Sequence, residues 1–222
     1  MIIQRYPSLS WPEFYASSQE FLRQSEHVGD HWHWIEQNHG ANRDGFLEKK
    51  LVIPVKHDWE KLDVYADPNV VEEEDMVSFR GDALETLTVT YHILYSSSYQ
   101  VPVLYFNAYF SNGTPLTLSQ IYTYLIPAEY HTPLQQLRFG SGVTQSDHPY
   151  FRTPFYYVHP CETQTLLSSI SGMPMERNGH RDSGVNDTGK YMRSWLSLVG
   201  PAVGCKICVE YFVNKDAETK ES

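Results

Sequence analysis

Residues 155–170 read FYYVHPCETQTLLSSI, which sets an aromatic strand, a His-Pro-Cys turn and a helix start in one line. Phe155 to Val158 carries the aromatic and β-branched residues that fit a pleated, half-buried surface. Pro160 has no N–H to give a neighbouring strand and biases His159 toward an extended conformation, so the chain leaves the sheet there. Glu162 and Thr163 suit a first helical turn, and Leu166, Leu167 and Ile170 fall on one helix face. Cys161 is thereby placed at or just before a helix N-terminus, where unpaired N–H groups and the helix dipole favour a thiolate. Glu162 opposes this, because a carboxylate beside the sulfur disfavours a second negative charge. A buried, inert thiol packed behind the strand is the competing reading of the same position.

Outward from that strand the pattern is that of a sheet. Leu87, Val89, Tyr91, Ile93 and Tyr95 alternate with Thr88, Thr90, His92 and Leu94; Ser96 to Ser98 turn the chain, and Val101 to Phe110 returns as an antiparallel partner. A hairpin needs further strands, and Phe46 to Val55 on one side and Phe155 to Val158 on the other are the expected neighbours. Ser10, Pro12 and Glu13 open a helix over Trp11 to His27 that Gly29 ends. Thr117 caps another over Leu118 to Leu125, and Tyr191 to Val199 forms a third, ended by Gly200-Pro201. His31 and His33, alternating with Trp32 and Trp34, read as a strand rather than as metal ligands. Lys56 to Asp82, with its acidic run Glu72 to Asp75, reads as a solvated loop, and Ser171 to Lys190 as a mobile one. The expected fold class is α+β: an antiparallel sheet of about four strands with flanking helices, one domain over residues 1–213, and a flexible tail over residues 214–222.

Composition narrows the function. A formal charge of −10 argues against a general binder of nucleic acid or anionic membrane. The 41% hydrophobic content, with 16 Tyr, 10 Phe and 5 Trp, is that of a chain with a packed core. Three cysteines make no disulfide framework. No signal peptide and no transmembrane run are read in the sequence, so a cytoplasmic location is expected.

His159-Pro160-Cys161 behind an aromatic strand resembles the active-site motif of the E2-like conjugating enzymes of autophagy. Tyr91 to Phe106 (YHILYSSSYQVPVLYF), Gly113 to Ile121 (GTPLTLSQI), Thr144 to Pro149 (TQSDHP) and Ser194 to Gly204 (SWLSLVGPAVG) are similar to segments of the autophagy-related protein 10 family, in that family's order. The resemblance implies an E2-like fold and no cofactor. It implies that Cys161 accepts the C-terminal glycine of a ubiquitin-like modifier (autophagy-related protein 12 type) as a thioester. The donor would be an E1-like activating enzyme (autophagy-related protein 7 type), and the acceptor a lysine of a protein target (autophagy-related protein 5 type). Ubiquitin E2 enzymes carry His-Pro-Asn ahead of a separate cysteine, whereas here the cysteine itself follows His-Pro, so the asparagine's role falls to another group. Tyr91, His92, Thr144, Gln145 and His148 are the candidates, while His159 and Pro160 are expected to order the turn.

Other chemistries stay open at this point. His159, Cys161, Cys205 and Cys208 are ligand types for a structural zinc, although neither half of a zinc-deaminase signature is present. Against zinc, Ile207 and Val209 alternate with Cys208 as in a final strand, with Cys205 and Cys208 as core fillers. A cysteine hydrolase would pair Cys161 with His148 or His159. A non-catalytic domain that binds partners through a sheet edge near Phe46 to Val55 is the remaining alternative.

Overall fold

The hairpin expected from Leu87 to Phe110 is the centre of the molecule. In the computed structural model, which describes residues 8–39, 42–55, 85–136, 142–160 and 187–212, strand β3 (Glu85–Ser96) pairs with β4 (Val101–Phe110) from Leu87↔Phe110 to Ser96↔Val101. The full sheet holds β1 (His33–His39), β2 (Asn42–Val55), β5 (Val143–Asp147) and β6 (Pro154–Val158) as well, in the order β1-β2-β3-β4-β6-β5. Every neighbouring pair is antiparallel. Both expected neighbours of the hairpin are therefore in place.

The sheet has six strands where about four were expected. The two beyond those four, β1 and β5, lie at its edges; β1 takes up the strand read around His33 and Trp34, but His31, with a left-handed φ of 55°, and Trp32 precede it. β5 reads VTQSD and buries little beyond Val143, and β1 reads HWIEQNH. An edge strand needs one paired side and can be largely polar, so it shows weak alternation. The β1 pairing runs from His33↔Glu48 to His39↔Asn42, so the expected free edge near Phe46 to Val55 is covered at its start.

Helices lie against one face of the sheet. Helix α1 (Trp11–Val28) begins in a capping box in which the Ser10 N–H donates to Glu13 Oε2 at 2.7 Å, and ends at Gly29, whose φ of 69° is left-handed. α2 (Leu118–Tyr124) begins in a second box made by Thr117 and Gln120. α3 (His131–Gln136) follows a 3-10 turn over Ala128–Tyr130. The last helix, α4 (Asp187–Val199), starts four residues earlier than expected. It packs on α1, where a Cβ on Gly189 would lie 2.5 Å from Glu20 Cγ. Phe14 and Phe21 of α1, Ile121 of α2, and Tyr191, Met192, Trp195 and Leu196 of α4 share a core with Leu87, Val89, Tyr91, Ile93, Leu104 and Phe106 of the sheet. No helix among the described residues is long and apolar enough to cross a membrane.

The final strand expected around Cys208 is not formed: residues 205–208 are irregular and Val209–Phe212 is a 3-10 helix. Its Tyr211 stacks on Phe21 at 5.2 Å and donates its hydroxyl to Asp30 Oδ2 at 3.0 Å. Trp32 Nε1 donates to the same oxygen at 3.1 Å, and Lys49 pairs with Oδ1. Asp30 thus ties the end of α1, strand β2 and the C-terminal segment together. Cys161, the helix start expected after it, the loop expected over Lys56 to Asp82, the part of the Ser171 to Lys190 segment up to residue 186 and the tail expected from 214 lie outside the described residues.

Lys49 and Asp30 are both almost fully buried, so removing one charge leaves the other without compensation. Asp30→Ala should lower unfolding free energy in a urea titration by about 3–5 kcal/mol, and Asp30→Ala combined with Lys49→Met should lower it by less.

Candidate active site

Cross-strand partners share a face of a sheet, and the register sorts the candidate residues by face. Glu48↔His92, His92↔Tyr105, Tyr105↔Tyr157 and Tyr157↔Thr144 form one row across five strands, on the face away from the helices. Lys49↔Tyr91, Tyr91↔Phe106, Phe106↔Tyr156 and Tyr156↔Gln145 form the next row, on the helix side. Tyr91 is accordingly a core residue. It is fully buried, its hydroxyl donates to the Val203 carbonyl at 2.9 Å, and burial raises its pKa.

The face away from the described helices is covered in part by the loop 148–153 that joins β5 to β6. His148 N donates to the Thr153 carbonyl at 2.8 Å, and Arg152 N to the His148 carbonyl at 2.9 Å. Phe151 stacks on the His148 ring at 4.5 Å between centroids, and Tyr150 on Phe46 at 5.5 Å. Tyr150 also donates its hydroxyl to Asp44 Oδ1 on β2 at 2.6 Å, which fastens the loop across the sheet.

Beneath the loop, His148 and His92 are buried to 0% and 1% exposure and share a hydrogen bond of 3.1 Å between His148 Nε2 and His92 Nδ1. The backbone N–H groups of Tyr150 and Phe151 both donate to His148 Nδ1, each at 3.3 Å. That nitrogen therefore carries a lone pair, and the ring proton sits on Nε2. It is donated to His92 Nδ1, so the His92 proton is on Nε2, 3.0 Å from Glu48 Oε2. Burial raises the Glu48 pKa, but hydrogen bonds from His92 and Lys50 outweigh it and leave the carboxyl below its ordinary value. Burial lowers the pKa of both rings, His148 to about 4. Both His148 ring nitrogens are engaged, so this imidazole is built to hold neighbours in place rather than to accept a proton from a reactant.

Beside the covered region a groove of about 390 Å³ runs to the end of β6. Leu94, Val103, Tyr105 and Tyr157 form its floor, Tyr99 and the serines of the β3–β4 turn one side, and Ser146 and Pro149 the other. His159 and Pro160 close it. The His159 ring sits edge-on to Tyr99 at 5.7 Å and beside Tyr157 at 5.9 Å, while its backbone N–H donates to the Gly142 carbonyl at 3.2 Å. Among the described residues no Asp, Glu, Lys or Arg lines the groove, and burial raises the pKa of Tyr105, so its hydroxyl stays neutral. Thr144 lies in the row on the same face, with its Oγ1 buried and unpaired among the described residues.

The other cysteines stand elsewhere. Cys205 is fully buried, and burial pushes its thiol up to about 12, so it is not a nucleophile at neutral pH. Cys208 lies 3.8 Å from Asp30 Oδ1. Among the described residues no three metal-ligating side chains are gathered. The groove residues Tyr99, Tyr105 and Tyr157 did not stand out in the sequence, though the alternation of Phe155, Tyr157 and His159 carries the information that they share a face. Glu48 left no such signal.

The chain matches the family described as autophagocytosis associated protein, active-site domain, over residues 13–210. It is 32% identical over 213 residues to the ubiquitin-like-conjugating enzyme ATG10 of Homo sapiens, covering 86% of this chain and 87% of that one. With the enzyme of the same name from Dictyostelium discoideum it shares 36% identity over 127 residues, 57% of this chain and 54% of that one. The crystal structure of the autophagic E2 Atg10 superposes with a TM-score of 0.39 at 16% identity, over 90% of this chain and 99% of its own. The family match over residues 13–210, with a relative above 30% identity matched over 87% of its length, places the chain in the autophagy-related protein 10 family of E2-like conjugating enzymes.

Proposed function

We propose that this protein carries an autophagic ubiquitin-like modifier as a thioester on Cys161 and passes it to a lysine of a protein target. The observation that carries the reading is the groove that closes on His159 and Pro160, the two residues before Cys161, and that no Asp, Glu, Lys or Arg lines among the described residues. An extended C-terminal tail laid in it would end beside the next residue of the chain. The engagement of Cys205 in the core and Cys208 beside Asp30 supports Cys161 as the reactive thiol.

In the first step the Cys161 thiolate attacks the carbonyl of a modifier thioester on an E1-like enzyme, of autophagy-related protein 7 type. The new C–S bond forms as the E1 thiolate leaves. In the second step a lysine amine of the target attacks that carbonyl, an amide forms, Cys161 leaves as thiolate and the amine gives up a proton. The modifier is of autophagy-related protein 12 type and the target of autophagy-related protein 5 type. Holding both reactants in place is the main demand, because an oriented amine and carbonyl need little added basicity. Thr144 and His159 stand on the groove face and are the polar supports of this step, Pro160 sets the turn, and Tyr91 acts from the core behind the sheet. A cytoplasmic location goes with this reading.

The test is a charging assay with E1-like enzyme, ATP and modifier, resolved on gels with and without reductant. The expected adduct is reductant-sensitive, absent in Cys161→Ala and reductant-resistant in Cys161→Ser; no adduct on the wild type, with an active E1, would overturn the reading. Ser146→Trp, at an exposed position in the groove wall, should slow charging by roughly ten- to a hundredfold. Its unfolding midpoint should stay close to the wild type's, because surface substitutions change stability by about 0.5 kcal/mol or less.

A further inference from the structure

We propose that His148 is a positioning residue for conjugation: acting with His92 and Glu48, it fixes the 148–153 loop and with it the Pro149 side of the groove that leads to Pro160. The inference rests on the reading of that groove given above. Two observations carry it. The ring is the shared acceptor for two consecutive backbone N–H groups of the loop, and its other nitrogen is anchored through His92 to β2 and β3. The residue that follows it, Pro149, lines the groove, as does Ser146 two residues before it.

The arrangement works with one distribution of protons. A proton added at His148 Nδ1 would face the two N–H donors of the loop. A proton added at His92 Nδ1 would face the donor of His148. Either releases the loop. Among the described residues, Glu48, Lys50 and Asp44 on β2, Tyr105 on β4 and Tyr150 on the loop are the titratable groups around the two rings. Phe46, Phe151 and Phe155 complete the enclosure and do not titrate. Burial is the leading cause of the lowered pKa of both rings. A histidine with a depressed folded pKa contributes stability above its unfolded value, and that contribution is lost as pH falls through the folded one. For His148 the window runs from 6.5 down to about 4.

The test compares the wild type with His148→Phe, which keeps an aromatic ring among the phenylalanines, and with His148→Asn, whose side-chain oxygen can replace Nδ1 as the acceptor. Amide exchange at Tyr150 and Phe151 should quicken about tenfold or more in His148→Phe and stay near wild type in His148→Asn. Charging of Cys161 should fall about tenfold in the first variant and recover most of the way in the second. Imidazole nitrogen spectra of the wild type should show the Nε2–H tautomer at both His92 and His148. The melting temperature should drop between pH 6.5 and about 4 more steeply in the wild type than in His148→Phe. Nδ1–H tautomers, equal acid slopes, unchanged amide exchange, or wild-type charging by His148→Phe despite loosened amides would each overturn the proposal. A wild type that never charges overturns the functional reading and the conjugation half of this proposal with it. A wild type and His148→Phe that charge equally overturn the positioning role alone.

Discussion

A β-strand sends its side chains to both faces, so a sheet with helices on one side leaves the other face to be covered by something else. Here the helices bury Leu87, Val89, Tyr91 and Ile93, while His92 and Leu94 of the same strand, with Phe46 and Phe155, are also almost fully buried and belong to the opposite face. The cover is the six-residue loop 148–153. Its aromatic side chains and its tie to Asp44 make a lid on the sheet, and where the lid stops the groove begins. Among the described residues, the candidate site thus lies where the cover of the second face ends.

The cover is pinned by a polar chain rather than by apolar packing alone. A half-satisfied buried polar group costs more than an apolar one of the same shape, so a chain of this kind stabilises only when every member is paired. From the Tyr150 and Phe151 amides through His148 and His92 to Glu48, each donor meets an acceptor, and the chain ends on a carboxylate that also meets Lys50. Phenylalanines alone could slide over one another. Directional hydrogen bonds specify where the loop sits, and that is the property a groove wall requires.

The hairpin, its two neighbours and the caps of α1 and α2 were legible because each rests on local chemistry: strand alternation, a serine turn, and the pairs Ser10 with Glu13 and Thr117 with Gln120. The edge strands were undercounted because Thr144 to Asp147 buries little side-chain surface and pairs only through its backbone. The early start of α4 was hidden by Gly189, a poor helix former that is present because Glu20 comes close to its Cα. At the site, Tyr91 and His92 were both candidates, and adjacent residues of one strand cannot share a face; the register puts only His92 on the groove side. What no local pattern carried was Glu48, since its partner is 44 residues away and only the strand register brings them together.

Acyl transfer to an amine has to compete with hydrolysis, and the character of the groove bears on that competition. The protein carries a formal charge of −10, yet among the described residues no Asp, Glu, Lys or Arg lines the groove, and burial keeps the Tyr105 hydroxyl protonated. Such a channel suits an uncharged extended peptide. Under the proposed function, selectivity for the lysine would then come from where the target is held. His148, the one buried imidazole whose position next to Pro149 could have supplied a base, has both nitrogens committed to holding the loop. The same hydrogen bonds that shape the groove therefore also keep a reactive lone pair out of it.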